Sequence, residues 1–480
     1  MIYYPIICSK KHFRPNQNTL MKPNPFFKLF VLFLIISDFS CLAAAKIPSD
    51  SIKRTPANIE YTFAEKPVGG KEIYIPIELK NNDFSSDESE WSYQRSASSD
   101  NIIVFWAKGF GSYPDKVSNT KLSVDIKKTL TKAEKYYSYY RDTMKFVVKG
   151  KSKTDQYRMI IILRYQEEWL ATGAGYDNVI GALWVNPWAL NTDSALAHEF
   201  GHTFQYQTAC DGNYGFRDQN YVGQFWEQCA QYMSWQINNS SFTHEIPHFL
   251  QNVHKHFSHE DYRYQSMYLM EFWKQKHGID FLGKLWRAAK TPEHPLQVYK
   301  RITGINQQQL NNEIFEYASK NINWDYPLGN FNRSFIKNAP AADQKKYKHH
   351  TTLEVTDNGF YKIAEKQIPQ IYGYNAIQLR VPASGTKVTV DFEGLNGQWT
   401  AIEGWRYGFV VITDNDSPIY GKMKKSKKGT TTINIPKNAK ELWLVVTGAP
   451  TEHRNHVWDN NPDNDENFPY KVKFTNTTIQ

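Results

Sequence analysis

Long apolar runs and a strong excess of one charge are both missing from this sequence. The apolar run at residues 29–36 is too short to cross a bilayer, which takes about 20 residues, and the mean hydropathy of −0.61 excludes a polytopic membrane protein. The net formal charge is +9, and the first 45 residues hold five basic residues and one acidic residue, so the remainder carries +5. That excess is small for 480 residues, and we do not expect nucleic acid as a partner.

Cysteine is scarce as well, with four in the whole chain. Cys8 and Cys41 fall in or beside an N-terminal leader, which leaves Cys210 and Cys229 for the mature protein. In an exported protein an even pair can form a disulfide. A Cys210–Cys229 bridge and two buried free thiols are both compatible with the sequence.

The first 45 residues have the layout of a secretory signal peptide. Basic residues come first, the apolar run follows, and Ala43, Ala44 and Ala45 provide a small-residue cleavage site. Met21 is an alternative start. We therefore expect a protein that is secreted or lies at the cell surface or in the periplasm. Lipid tethering through Cys41 is the alternative to release.

The full sequence has the composition of a folded protein, with 41% hydrophobic and 22% charged residues. Its length predicts two or three domains. Strand-like runs alternate with a helical pattern at 120–142, and helical texture follows from 194 to about 322. After residue 347, short β-branched and aromatic runs recur between Gly, Pro and Asn, as in a β-sandwich.

These patterns predict an α+β fold in which a lobe with a mixed sheet and helices precedes a C-terminal β-sandwich. We place a loosely structured lead-in at residues 46–100, the mixed lobe at 101–335 and the sandwich at 350–480. The sequence shows no internal repeat and no coiled-coil heptads.

The segment SALAHEFGHTFQYQ at 194–207 contains the pattern His-Glu-x-x-His. On a helix, positions i and i+4 share one face, so His198 and His202 can bind one metal ion. Glu199 projects beside them and can take a proton from a water activated by that ion. Gly201, between the histidines, permits close approach of another element. The alternative is a surface helix with two ordinary histidines, which the apolar neighbours of the motif disfavour.

A catalytic zinc ion of this kind takes three protein ligands and leaves a fourth position open. Glu227 is the candidate for the third, because it is a lone carboxylate in an apolar helical pattern and an unpaired buried acid is costly. Twenty-four residues separate it from His202, enough for a loop and a return. The prediction is one Zn²⁺ per chain. Rival histidines fall in a charged stretch that predicts solvent exposure: His254, His256 and His259.

Other residues are predicted to support this site. Gln231, one helical turn after Glu227, can hydrogen-bond to a ligating histidine. Tyr262 and Tyr264 are candidates for stabilising the transition state, with core packing as the alternative. A peptide substrate is expected to lie along an exposed strand edge, and residues 179–185 are the predicted edge, with an ordinary inner strand as the alternative.

The chain resembles the bacterial secreted avirulence-protein-related (Svx/AvrXca-like) family of gluzincin-type zinc metallopeptidases. The resemblance spans roughly residues 100–455. The motifs that carry it are FWAKGFG at 105–111, EWLATGAGY at 168–176, GALWVNP at 181–187, HEFGHTFQYQ at 198–207, FWEQCA at 225–230, YGYN at 372–375, GWRYG at 404–408 and LWLVV at 442–446.

This resemblance implies a zincin-like catalytic lobe followed by a β-sandwich. It also implies export, with His198, His202 and Glu227 as zinc ligands and Glu199 as general base and acid. It does not imply a particular substrate.

We therefore expect a secreted zinc metallopeptidase that acts on a protein or glycoprotein. Two alternatives stay open. One is a secreted binding or adhesion protein with a structural or vestigial zinc site, which requires a fourth protein ligand. The other is a zinc hydrolase that cleaves a non-peptide bond in a polysaccharide.

Two further ligand sites are compatible with the sequence. The predicted sandwich offers aromatic residues for glycan contact, with core packing as the alternative: Trp399, Trp405, Tyr407 and Trp443. The acidic loop that includes Asp463, Asp465 and Asn467 offers oxygens for Ca²⁺, although a solvated loop accounts for it more simply.

Overall fold

The computed structural model describes residues 62–63 (backbone only), 70–217, 224–456 and 458–480. The predicted leader at 1–45, with Cys41, lies outside the described residues. Residues 60–480 belong to one compact unit, which mixes α-helices and β-sheets as the sequence predicts. None of the described helices is both long and apolar enough to cross a membrane.

A six-stranded mixed sheet forms the first layer, in the order β1-β2-β3-β4-β6-β5. The parallel strands β3, β4 and β6 form its centre, and the outer pairs are antiparallel. Every residue of β3 and β4 is buried, as expected for parallel strands covered on both faces. The strands are β1 (Thr62–Phe63), β2 (Ser96–Ser98), β3 (Ile102–Trp106), β4 (Met159–Leu163), β5 (Ala171–Tyr176) and β6 (Ile180–Val185).

The structure corrects two expectations about this sheet. The run at 179–185 contains β6, but β6 lies between β4 and β5, so among the described residues β5 is the strand at this edge and β1 is the strand at the opposite edge. The sequence of β5, ATGAGY, has few of the side chains that mark a strand. Residues 70–100, predicted as a loose lead-in, contribute β2 to the sheet and bury Trp91 and Arg95.

Helices cover the sheet and extend beyond it. The first, capped by the Asp125 side chain, begins at Ile126 because that carboxylate accepts from Lys128 N. The helices are α1 (Ile126–Ser138), α2 (Pro187–Asn191), α3 (Asp193–Cys210), α4 (Phe225–Trp235), α5 (Ile246–Asn252), α6 (Tyr268–His277), α7 (Phe281–Ala288), α8 (Pro295–Thr303), α9 (Gln307–Asn321), α10 (Gly329–Asn338) and α11 (Ala341–Gln344).

Two antiparallel sheets follow, in the orders β13-β10-β15-β8-β7 and β12-β11-β14-β9. Their inner faces meet where the Phe392 ring stacks on the Tyr407 ring, with centroids 4.0 Å apart. The strands are β7 (Leu353–Val355), β8 (Tyr361–Ile363), β9 (Tyr374–Leu379), β10 (Lys387–Gly394), β11 (Trp405–Thr413), β12 (Pro418–Tyr420), β13 (Lys428–Asn434), β14 (Ala439–Gly448) and β15 (Tyr470–Thr475).

The aromatic residues suggested for glycan contact serve the core instead. Trp405, Tyr407 and Trp443 are buried. Trp399 is half-buried, and its indole N–H donates to the Asp465 carbonyl over 3.0 Å. Because Trp405, Tyr407 and Trp443 are buried between and behind the sheets, these three residues do not offer a glycan-binding surface.

Cys210 and Cys229 are both free, buried thiols, so the possible disulfide is not formed. The Cys229 sulfur points into the core, where the Trp286 indole N–H donates to it over 3.3 Å and the Met270 sulfur lies 3.7 Å away. Burial raises the pKa of Cys210 to about 12 and that of Cys229 well above its ordinary value.

We predict that neither thiol of the native protein reacts with iodoacetamide at pH 8. Because both pKa values are raised, both groups stay protonated at that pH and the nucleophilic thiolate is scarce. After unfolding in denaturant without reductant, peptide mass spectrometry should find both cysteines alkylated. A disulfide-linked peptide pair containing Cys210 and Cys229 would contradict the structure.

Candidate metal centre

The two helices that carry the predicted ligands lie in close contact. A Cβ atom added at Gly201 of α3 would sit only 3.1 Å from the Cα of Ala230 in α4. Small residues at this crossing bring the backbones together, and most of α3 is buried between the sheet and α4. The His-Glu-x-x-His face of α3 is thereby placed against the first turn of α4, where Glu227 lies.

Three side chains converge at this crossing. Glu227 Oε2 lies 3.1 Å from His198 Nε2 and 3.3 Å from His202 Nε2. The three form a group whose ligand atoms all lie within 4.8 Å of one another. Zinc bonds of about 2.0–2.1 Å at tetrahedral angles would put ligand atoms about 3.3–3.4 Å apart. The two imidazoles and one carboxylate therefore fit a zinc ion.

Hydrogen bonds behind the histidines orient their lone pairs toward the centre. His198 Nδ1 lies 2.8 Å from Gln231 Oε1, and His202 Nδ1 lies 2.7 Å from Gln205 Oε1. The Gln205 amide is fixed because its Nε2 donates to the Trp226 carbonyl over 2.9 Å. An acceptor oxygen therefore faces His202 Nδ1, which must carry the proton, so that Nε2 is free to bind a metal ion.

Gln205 is a residue that the sequence analysis did not identify. It lies three positions after His202 on the same helix and is fully buried. The spacing was the available signal, since i and i+3 share a helix face. Gln231 occupies the equivalent place behind His198.

Glu199 lies under the edge strand, beside the two histidines. A Cβ atom at Gly173 of β5 would sit 2.2 Å from the Glu199 carbonyl oxygen and 2.7 Å from His202 Cβ, so only glycine permits this approach. Burial raises the pKa of Glu199, while His198, His202 and a hydrogen bond from the Gly173 backbone oppose the rise.

The site attracts positive charge. Burial alone would raise the pKa of Glu227, but the two histidines hold it well below its ordinary value. Burial likewise would lower the pKa of His202, but the carboxylates of Glu227 and Glu199 raise it to about 9. The Glu227 side chain is 28% exposed, which gives solvent a route to this side of the centre.

The structure separates the two predicted tyrosines. Tyr264 lies at the site, with its ring centroid 6.0 Å from that of His198, and the Arg263 guanidinium covers its ring. Burial raises the pKa of Tyr264, so its hydroxyl stays protonated. Tyr262 is instead a buried core residue whose hydroxyl donates to the Lys255 carbonyl over 3.1 Å.

A second polar cluster lies elsewhere, and the sequence analysis missed it. His259, His456 and Asp465 form another group with ligand atoms within 4.8 Å of one another. The stretch around His259 was expected to face solvent, yet His256 is 1% and His259 is 7% exposed. The backbone of this stretch is covered because the Gln370 and Tyr374 amides donate to the His254 and Val253 carbonyls.

The acidic loop does not gather oxygens for calcium. Asp463 and Asn464 are exposed, whereas Asp465 turns inward, and its Oδ2 accepts from Gln370 Nε2 over 2.8 Å. The metal-ligand group that contains Asp465 includes two histidines. Calcium prefers six to eight oxygens, so these contacts do not support the suggested Ca²⁺ site.

The chain belongs to a family of unknown function, DUF6055, whose profile matches residues 65–480. No curated protein matches the sequence.

Solved structures show distant likeness. The M60 catalytic domain with the CBM51-1 and CBM51-2 domains from Clostridium perfringens ZmpB is 10% identical, with a TM-score of 0.29; the match covers 82% of this chain and 60% of that one. A metallopeptidase from Bacteroides thetaiotaomicron is 10% identical, with a TM-score of 0.30 and coverage of 78% and 68%. The C-terminal family 22 carbohydrate-binding module of Clostridium thermocellum Xyn10B is 11% identical, with a TM-score of 0.18 and coverage of 27% and 81%. Scores this low do not show a shared fold.

We predict that Gln205→Leu weakens zinc binding by about 10–100-fold, because His202 loses the acceptor that fixes its tautomer and ring orientation. Competition with a chromophoric chelator at constant pH measures the affinity. Gln207→Leu is the matched control, since Gln207 is equally buried in α3 but accepts from Gly181 N and touches no ligand. Equal losses in both variants would show that the effect is general damage to α3.

Proposed function

We propose that this protein is a secreted zinc-dependent metallopeptidase with a zincin-like lobe and a C-terminal β-sandwich. The convergence of His198, His202 and Glu227, with Glu199 beside them, carries the proposal. The set leaves room for water or substrate, because no fourth histidine, cysteine or carboxylate joins this group among the described residues. That openness disfavours a purely structural zinc site.

Zinc, when bound here, would supply a Lewis acid that polarises a carbonyl and makes water acidic enough to react at neutral pH. His198, His202 and Glu227 would hold it, with Gln231 and Gln205 fixing the histidine tautomers. Glu199 is the general base: its carboxylate takes the proton from the attacking water. It then delivers that proton to the leaving amine nitrogen, so the same group serves as base and acid.

The edge strand gives a peptide substrate a place to bind. The strand β5 pairs with β6 on one side, and no described strand pairs with its other side. A peptide that adds to this edge by backbone hydrogen bonds would run past Gly173, which touches Glu199 and His202. Tyr264, protonated and close to His198, is the candidate donor to the developing oxyanion.

The resemblance of the sequence motifs to Svx/AvrXca-like metallopeptidases supports the same proposal, including export through the N-terminal leader. A protein or glycoprotein is the proposed substrate class.

We predict that Glu199→Gln lowers peptide hydrolysis by at least about 10²–10⁴-fold while zinc content stays the same, because the amide keeps the shape but cannot accept the proton. Fluorescent casein and a peptide library read by mass spectrometry measure hydrolysis, and plasma mass spectrometry measures zinc. Glu354→Gln, an exposed change on the remote strand β7, is the control. Parent-like hydrolysis by Glu199→Gln would refute the assigned base.

A further inference from the structure

The second histidine–carboxylate cluster joins two distant parts of the chain. His259 lies between α5 and α6, and His456 and Asp465 lie between β14 and β15. Glu260 binds the same connection, since its Oε2 lies 2.6 Å from His456 Nε2 and its Oε1 accepts from Asn460 N. The cluster therefore holds the β14–β15 connection against the helical part of the chain.

Distances within the cluster are those of ligands around an ion. Asp465 Oδ2 lies 3.4 Å from His259 Nε2, and Asp465 Oδ1 lies 3.5 Å from His456 Nδ1. A charge-assisted hydrogen bond between such groups would be about 2.7–2.9 Å long. Tetrahedral zinc ligands are about 3.3–3.4 Å apart, and both spacings, each to a different Asp465 oxygen, are closer to that value than to a hydrogen bond.

Hydrogen bonds fix the orientation of the two imidazole rings in the cluster. His456 Nε2 donates to Glu260, which turns the other ring nitrogen, Nδ1, toward the Asp465 carboxylate. A carboxylate behind a ligating histidine is a common arrangement at metal sites. His259 Nδ1 accepts from Asp261 N; metal binding at Nε2 gives up that contact and places the ring proton on Nδ1, 3.6 Å from Glu260 Oε2.

The buried carboxylates of the cluster and the cleft beside it also favour a metal ion. Glu260 and Asp465 are both buried, and two buried carboxylates are costly unless positive charge lies beside them, which a divalent cation would supply. Two nitrogen ligands favour zinc over calcium or magnesium. A cleft of about 280 Å³, lined in part by His259, Glu260 and Asp465, borders the cluster and gives an ion and a water ligand access.

We propose that His259, His456 and Asp465 form a second zinc site, with Glu260 orienting His456, which fastens the β14–β15 connection to the helical part of the chain. This site does not depend on the proposed peptidase function, since it shares no ligand with the His198–His202–Glu227 centre.

The test is zinc content by plasma mass spectrometry on the full chain, purified without chelator and dialysed against metal-free buffer. With one zinc ion at each site, we expect about two zinc ions per chain in the parent and about one in each of Glu227→Ala and Asp465→Asn. The matched control is Asp463→Asn, an exposed change in the same loop, which should keep both.

The zinc contents of the variants distinguish failure of the second site from failure of the first. A parent with about one zinc ion that Glu227→Ala loses and Asp465→Asn keeps would overturn the second site. Zinc unchanged in Glu227→Ala but reduced in Asp465→Asn would support the second site and remove the first. If Asp465→Asn does not fold, His259→Gln takes its place: loss of about one zinc ion per chain would support the second site, and an unchanged zinc content would overturn it.

Discussion

The contact between α3 and α4 is the constraint on which the proposed chemistry depends. Because Gly201 has no side chain, α3 can approach Ala230 of α4 closely. Because Gly173 has none, the edge strand β5 can pack against Glu199 and His202 on the same turn of α3. Because both approaches need the absence of a side chain, the two histidines and Glu227 are held by backbone packing rather than by flexible loops. A site built on packed helices keeps its geometry with little reorganisation, which is what a metal centre and a general base require.

Polar groups buried around this contact set proton positions. Gln205 illustrates how: one end of its amide is fixed by the Trp226 carbonyl, so the other end can only accept from His202. The second cluster follows the same logic through Glu260, which accepts from His456. In both places an acceptor behind the imidazole turns the other ring nitrogen toward carboxylate oxygen, where positive charge is favoured. The chain thus has two places where burial and hydrogen bonding favour positive charge.

Local patterns made much of the first site predictable. His198 and His202 follow from helical spacing, and Glu227 follows from the cost of a lone acid in an apolar helix. Gln205 could also have been predicted from helical spacing, because it lies three positions after His202. The edge strand β5 could not, because its sequence, ATGAGY, has few of the side chains that mark a strand. The second cluster depends on chain packing over a long range, since His456 and Glu260 are 196 positions apart, and the charged residues near His259 resemble an exposed stretch. The predicted domain boundaries stay predictions.

Anomalous diffraction at the zinc absorption edge from crystals of the parent protein would show whether a zinc ion lies between His198, His202 and Glu227. We predict a strong peak about 2.0–2.2 Å from His198 Nε2, His202 Nε2 and a Glu227 oxygen, with a water completing the coordination. A peak bound by a fourth protein side chain would indicate a closed, structural ion. The absence of anomalous scattering between these three residues, in crystals grown with zinc, would contradict the metal centre itself.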